Sequence, residues 1–241
     1  MMASHRILRL LPLATLLCGL FAFVPTDDRI ARRVVDPKQE AITLHWKDRS
    51  GAILGNIGAL EREVSAGGGR LSFAMNGGMY TADHGPVGLY IQDGKLLHAI
   101  DRRVEGKGNF HMQPNGVFGI LNDGTAFVKT TGEMQDMRDV RYATQSGPML
   151  VTHGIINTHF TPGSKNLHIR NGVGVRADGQ VVFAISREPI NFHDFANWFV
   201  GESCSNALYL DGSVSKAYIP EAAVAGMDGE LGVLIAVMAP R

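Results

Sequence analysis

Cysteine is nearly absent. The 241 residues contain two, Cys18 and Cys204. Cys18 falls in an N-terminal leader, so the mature chain cannot close an intramolecular disulfide. Cys204 stands between the aromatic run FANWF and a strand, a setting for burial rather than for a nucleophile. An excess of charge is also missing. Lys plus Arg and Asp plus Glu number 23 each, which excludes the basic surface expected of a nucleic-acid binder or of a protein lying on an anionic membrane. The nine His residues show no H-x-x-x-H or comparable ligand spacing. His111, His168 and His193, each near a polar segment, are expected as hydrogen-bonded scaffold or substrate contacts. No cofactor is implied, and an oxygen pair from Asp211 and Asn76 is the one arrangement left open for a divalent cation.

Long apolar runs occur once, in LLPLATLLCGLFAFV (Leu10 to Val24), behind the basic start of His5, Arg6 and Arg9. This is the layout of a secretory signal. Leu20 and Ala22 make a weak cleavage site, so residues 1–24 are read as a signal peptide or an N-terminal anchor. Without a small residue ahead of Cys18, lipidation is not expected. The chain is expected in the periplasm or elsewhere outside the cytoplasm, touching a membrane only through an uncleaved leader. Residues 25–40, charged and carrying Pro25 and Pro37, read as a linker. Residues 41–241 read as one domain.

What is abundant is glycine, 29 residues spread along the chain. VGLYIQDGKLLHAI, GVFGILNDGTAFV and VGVRADGQVVFAI each set Asp-Gly between two apolar, β-rich arms, the pattern of a tight hairpin. GPMLVTHGIINTHF forms a fourth, turning at His153 and Gly154. AITLHW, NALYLDG and LGVLIAVM have strand composition. Ile53, Ile57, Leu60 and Val64 are spaced as one helix face, and Asn191 with Asp194, Phe192, Phe195 and Phe199 opens and faces a second. The fold class is therefore α+β: a single domain, mainly antiparallel sheet built from hairpins, with a few packed helices.

Polar, glycine-marked segments stand at the ends of the expected strands: FAMNGGMY, HMQPNGVF, TQSGPMLV, HIRNGVGV and LDGSVS. Each alone is ordinary turn chemistry, but together they gather where sites collect, on loops held by a scaffold. In ALYLD a period of two puts Leu208 and Leu210 on one face and Ala207, Tyr209 and Asp211 on the other. Asp211 then ends the strand either as a turn cap or as a working carboxylate.

The segments FAMNGGMY, QSGPMLV, RNGVG and NALYLDGSVS occur in the order found in the phosphodiester glycosidases, which this chain resembles from about Leu71 to Met238. The resemblance implies a hydrolase that cuts between a sugar's anomeric carbon and a phosphodiester, with Asn76, Gly77, Ser146, Gly147, Arg170 and Asp211 lining the site. Tyr80, Asn115, Asn171, Gly212 and Ser215 join them as substrate-binding candidates. Arg170 could grip the anionic diester as a fork, aided by the Gly77 and Gly147 amides and the Ser146 and Ser215 hydroxyls. Asp211 is the expected catalytic carboxylate, with Glu188, after FAISR, as the second. The family usually continues LDGG, whereas this chain has Ser213 and Val214 there. That bulkier loop favours the competing reading of a glycan-binding module without catalysis. The implied partner is a carbohydrate phosphodiester, and no nucleic acid.

Overall fold

A computed structural model describes residues 27–211 and 214–240. Its strands form three antiparallel sheets. The first runs in the order β1 (Ile30–Val35), β12 (Val181–Ser186), β11 (Asn171–Arg176), β13 (Cys204–Tyr209), β9 (Met149–Thr152) and β10 (Ile155–Ile156). The second runs β15 (Val224–Ala225), β14 (Ala217–Ile219), β3 (Leu71–Asn76), β16 (Leu234–Met238) and β2 (Ile42–His45). The third runs β5 (Lys95–His98), β4 (Tyr90–Gln92), β8 (Val140–Ser146), β6 (Gly116–Leu121) and β7 (Ala126–Thr130). Helices α1 (Ile57–Ala66) and α2 (Phe192–Gly201) complete the α+β architecture.

All four expected hairpins form, as β4–β5, β6–β7, β11–β12 and β9–β10. Asp93 and Gly94 both take positive φ, 49° and 74°, as do His153 and Gly154, 50° and 79°. Two consecutive left-handed residues give a turn whose twist matches the flanking strands.

The three sheets face one core. Phe73 from the second sheet and Phe118 from the third both pack on Phe183 of the first, at ring-centroid distances of 4.8 and 5.7 Å. All three rings are fully buried, each worth about 1.5–3 kcal/mol relative to exposure. Alternate residues point the other way and are covered too. Val182, Ala184 and Ala207 lie with Phe195 and Phe199 of α2, while Leu71, Ala74 and Ala236 lie with Ile57 and Leu60 of α1. Burial on both faces explains why VVFAI and LIAVM read as unbroken apolar runs. In β11 a Cβ on Gly174 would stand 2.8 Å from the Phe199 ring and 2.6 Å from Cys204 Sγ. The glycines of RNGVG thus let α2 lie close on the sheet.

Two expectations need correction. The linker reading of 25–40 fails, because Ile30–Val35 pairs along its length with β12 and buries Ile30, Ala31 and Val35. Arg32 and Arg33 broke the apolar pattern there, but on an edge strand they are free to ion-pair outward, with Glu202 and with Glu40. Helix α1 starts later than Ile53, at the cap Asn56, whose side chain accepts from the Ala59 amide at 2.8 Å. The expected leader, residues 1–24, falls outside the described residues. Among those described, no helix is long and apolar enough to cross a membrane.

Candidate active site

The ends of the three sheets meet at one junction. Asn76 is the last residue of β3 and Asn171 the first of β11, while Asp211 follows β13 by two residues and Ser146 closes β8. Asn171 ties them together. Its Nδ2 donates to Asn76 O and Asn76 Oδ1, both at 3.0 Å, and its Oδ1 accepts the Asp211 amide at 3.0 Å. Asn76 Oδ1 also accepts the Lys216 amide, at 2.8 Å. The Ser146 hydroxyl donates to Leu210 O, anchoring the third sheet to the strand that carries Asp211. Ser215 Oγ donates to Asp211 O at 2.7 Å. Asn76, Ser146, Asn171 and Asp211 are all buried. One atom is left over: Asn76 Nδ2 is buried without a hydrogen-bond partner, at a cost of about 1–3 kcal/mol.

A negative charge on Asp211 acts on two phenols. Burial is the main force raising the Tyr80 pKa, with the charges of Asp211 and Glu230 adding to it. Burial likewise pushes Tyr209 up to about 12, with Asp211 raising it and Arg170 opposing. Tyr80 donates its hydroxyl to Glu230 O and stacks on His84, with ring centroids 5.4 Å apart.

The structure spends elsewhere several groups that the resemblance gave to the substrate. Arg170 is 1% exposed, and its side chain makes four hydrogen bonds. Nε donates to Ile190 O at 2.8 Å, Nη1 to Tyr209 Oη at 3.3 Å, and Nη2 to Asn166 O and Oδ1 at 3.0 and 3.1 Å. Its guanidinium also lies over Phe192, 3.6 Å from the ring centroid. With five N–H donors in all, Arg170 has no two-pronged edge left for a phosphodiester. It instead pins the segment before β11 to the start of α2. The Gly77 amide donates to Val233 O at 2.8 Å, and the Ser146 and Ser215 hydroxyls donate to the backbone as above. Gly147 is needed for space, since a Cβ there would stand 2.8 Å from Phe110 O and from Asn115 Cβ. Asn115 Nδ2 donates to Phe110 O at 3.1 Å. Glu188 is left out of the junction, because its exposed side chain faces Arg29 at 3.9 Å. Gly212 lies outside the described residues.

His168 serves the scaffold through its backbone, which exchanges hydrogen bonds with Ile190 at 3.3 and 2.9 Å. His111 Nδ1 and His193 Nδ1 are buried without hydrogen-bond partners, His193 lying 3.5 Å from Asp194 without bonding it. Among the described residues no three His, Cys, Asp or Glu side chains gather as a metal cage. Tyr209, Asn166 and Phe192, which build the Arg170 anchorage, were absent from the expected site. Alternation already set Tyr209 beside Asp211, whereas nothing local marked Asn166.

Cys204 is buried, and burial pushes its thiol up to about 12. Since the thiolate is the reactive form, Cys204 should resist a thiol reagent in the folded protein at pH 8 and react fully once unfolded. Rapid native labelling, followed by mass, would contradict this placement.

Comparison with known proteins places these features. Residues 69–231 match the family described as phosphodiester glycosidase. The chain is 34% identical over 221 residues to uncharacterized protein YigE of Escherichia coli (strain K12), covering 88% of this chain and 85% of that one. Its fold is similar to the catalytic domain of zebrafish N-acetylglucosamine-1-phosphodiester alpha-N-acetylglucosaminidase, auto-inhibited by its pro-peptide, with a TM-score of 0.61 at 15% identity over 91% of this chain and 85% of that one. It is also similar to a protein of Burkholderia pseudomallei K96243 called exported, with a TM-score of 0.60 at 12% identity over 86% of this chain and 73% of that one.

Proposed function

This chain belongs to the phosphodiester glycosidase family, and from that premise we propose that it hydrolyses a glycosyl phosphodiester of the cell envelope or the extracellular space. Asp211 is the working carboxylate. The observation that carries the reading is the junction itself: strand ends from three sheets, through Asn76, Asn171 and Ser146, fix the backbone that carries the buried Asp211. Such rigidity suits a group that must meet one carbon atom in one geometry.

In the reaction, water oxygen bonds to the anomeric carbon as the bond from that carbon to the phosphate oxygen breaks. The phosphomonoester leaves with the electron pair. Asp211 takes the proton of the water or offsets the developing oxocarbenium charge. A phosphodiester leaves well without protonation, so one carboxylate can suffice where ordinary glycosides call for two. The leader at residues 1–24 supports action outside the cytoplasm, as does the likeness to a protein called exported.

The test is turnover of a panel of glycosyl phosphodiesters by the purified domain, reading free reducing sugar and phosphomonoester together. Equal release of both is expected from at least one member. Binding without release across the panel would instead make the chain a glycan-binding module.

A further inference from the structure

We propose that Asn76 receives a charged phosphoryl oxygen of the substrate on its Nδ2, an assignment that rests on the glycosyl phosphodiester reading above. The argument starts from the side-chain donors at the junction. Arg170, Ser146, Asn171 and Ser215 all donate within the protein. Asn76 Nδ2 alone among these donors has no acceptor.

Its orientation is not in question. Lys216 meets Asn76 through a backbone N–H, which can only donate, so the atom 2.8 Å from it must be the amide oxygen. Asn171 Nδ2, itself oriented by the Asp211 amide on Oδ1, gives a second bond to the same oxygen. Nδ2 is thereby fixed in direction, and it is buried without an acceptor. A donor fixed in advance in dry surroundings is worth most where an anionic oxygen arrives.

Neutrality has its own use here. A cation in this place would pair with Asp211 and quench it, whereas an amide can hold a phosphoryl oxygen and leave the carboxylate charged. Lys216, whose amide bonds Asn76, commits its Nζ to Asp228 at 2.8 Å.

The experiment uses the wild-type protein labelled with 15N and a non-cleavable probe, a glycosyl phosphonate monoester carrying one negative charge. The Asn76 side-chain amide resonance is identified by its loss in Asn76→Asp. It should move as the charged phosphonate saturates the protein, and stay in place with the neutral diester of the same phosphonate. In kinetics, Asn76→Asp keeps the oxygen that Asn171 and Lys216 require but turns the donor into an acceptor. Its kcat/KM on a cleaved phosphodiester should fall at least about 100-fold, the scale of losing one such donor. An amide that stays put at saturation in an enzyme that hydrolyses phosphodiesters would overturn the Asn76 assignment alone. An equal shift with the neutral probe would do the same. A wild-type protein that neither binds nor cleaves any glycosyl phosphodiester would take down both this assignment and the reading beneath it.

Discussion

Asp211→Asn should retain its fold and lose activity by about two orders of magnitude or more, the usual scale for removing a general acid or base. The structure separates the two effects. The local bonds of Asp211 described above run through its backbone: the amide donates to Asn171 Oδ1 and the carbonyl accepts from Ser215. Both survive the change, and asparagine keeps an acceptor oxygen in nearly the same shape, so the melting temperature should move little. The same change offers a check that needs no substrate. A charged Asp211 raises the Tyr80 and Tyr209 pKa values, so both phenols should ionise at lower pH in the variant, visible in an ultraviolet titration. A folded Asp211→Asn protein with near-normal turnover would return the residue to a turn cap.

Asn171→Leu should have the largest effect on stability. Asn171 spans two sheets, and an apolar side chain of similar size would strand the Asp211 amide in a buried site and take one of two donors from Asn76 Oδ1. Stranded buried polar groups cost about 1–3 kcal/mol each, so a loss of about 3 kcal/mol is expected. For a domain of this length that lowers Tm by roughly 8 °C. Activity measured well below the new Tm should fall as well, because the same bonds aim both Asn76 and Asp211. A variant as stable as the parent would mean that the strand ends hold together without Asn171.

Much of this was legible in the sequence because it was local. Asp-Gly pairs marked hairpins through the backbone angles they permit, and alternation set Leu208 and Leu210 on one face and Tyr209 on the other, faces that the structure turns to the shared core and to α2. The candidate residues Asn76, Ser146, Asn171 and Asp211 were named from their segments, and the structure brings those four together. What stayed hidden was how each donor is used. Arg170 opens the segment RNGVG and looked free, but its partners Asn166, Ile190 and Tyr209 include two that lie 20 and 39 positions away. Only the folded chain shows them consuming the guanidinium. Likewise the Ser146 hydroxyl meets Leu210 across 64 positions. Strand β1 was missed for a different reason, since an edge strand tolerates the charged pair that local reading takes for a linker.

The most direct test of the account is where water adds. Hydrolysis of a glycosyl phosphodiester in 18O-labelled water, with the released phosphomonoester analysed by mass, distinguishes the two bonds that could break. Cleavage at the anomeric carbon predicts an unlabelled phosphomonoester, because the bridging oxygen leaves with phosphorus and the new oxygen stays on the sugar. A phosphomonoester carrying one 18O would mean attack at phosphorus, and the chain would then be a phosphodiesterase rather than a glycosidase.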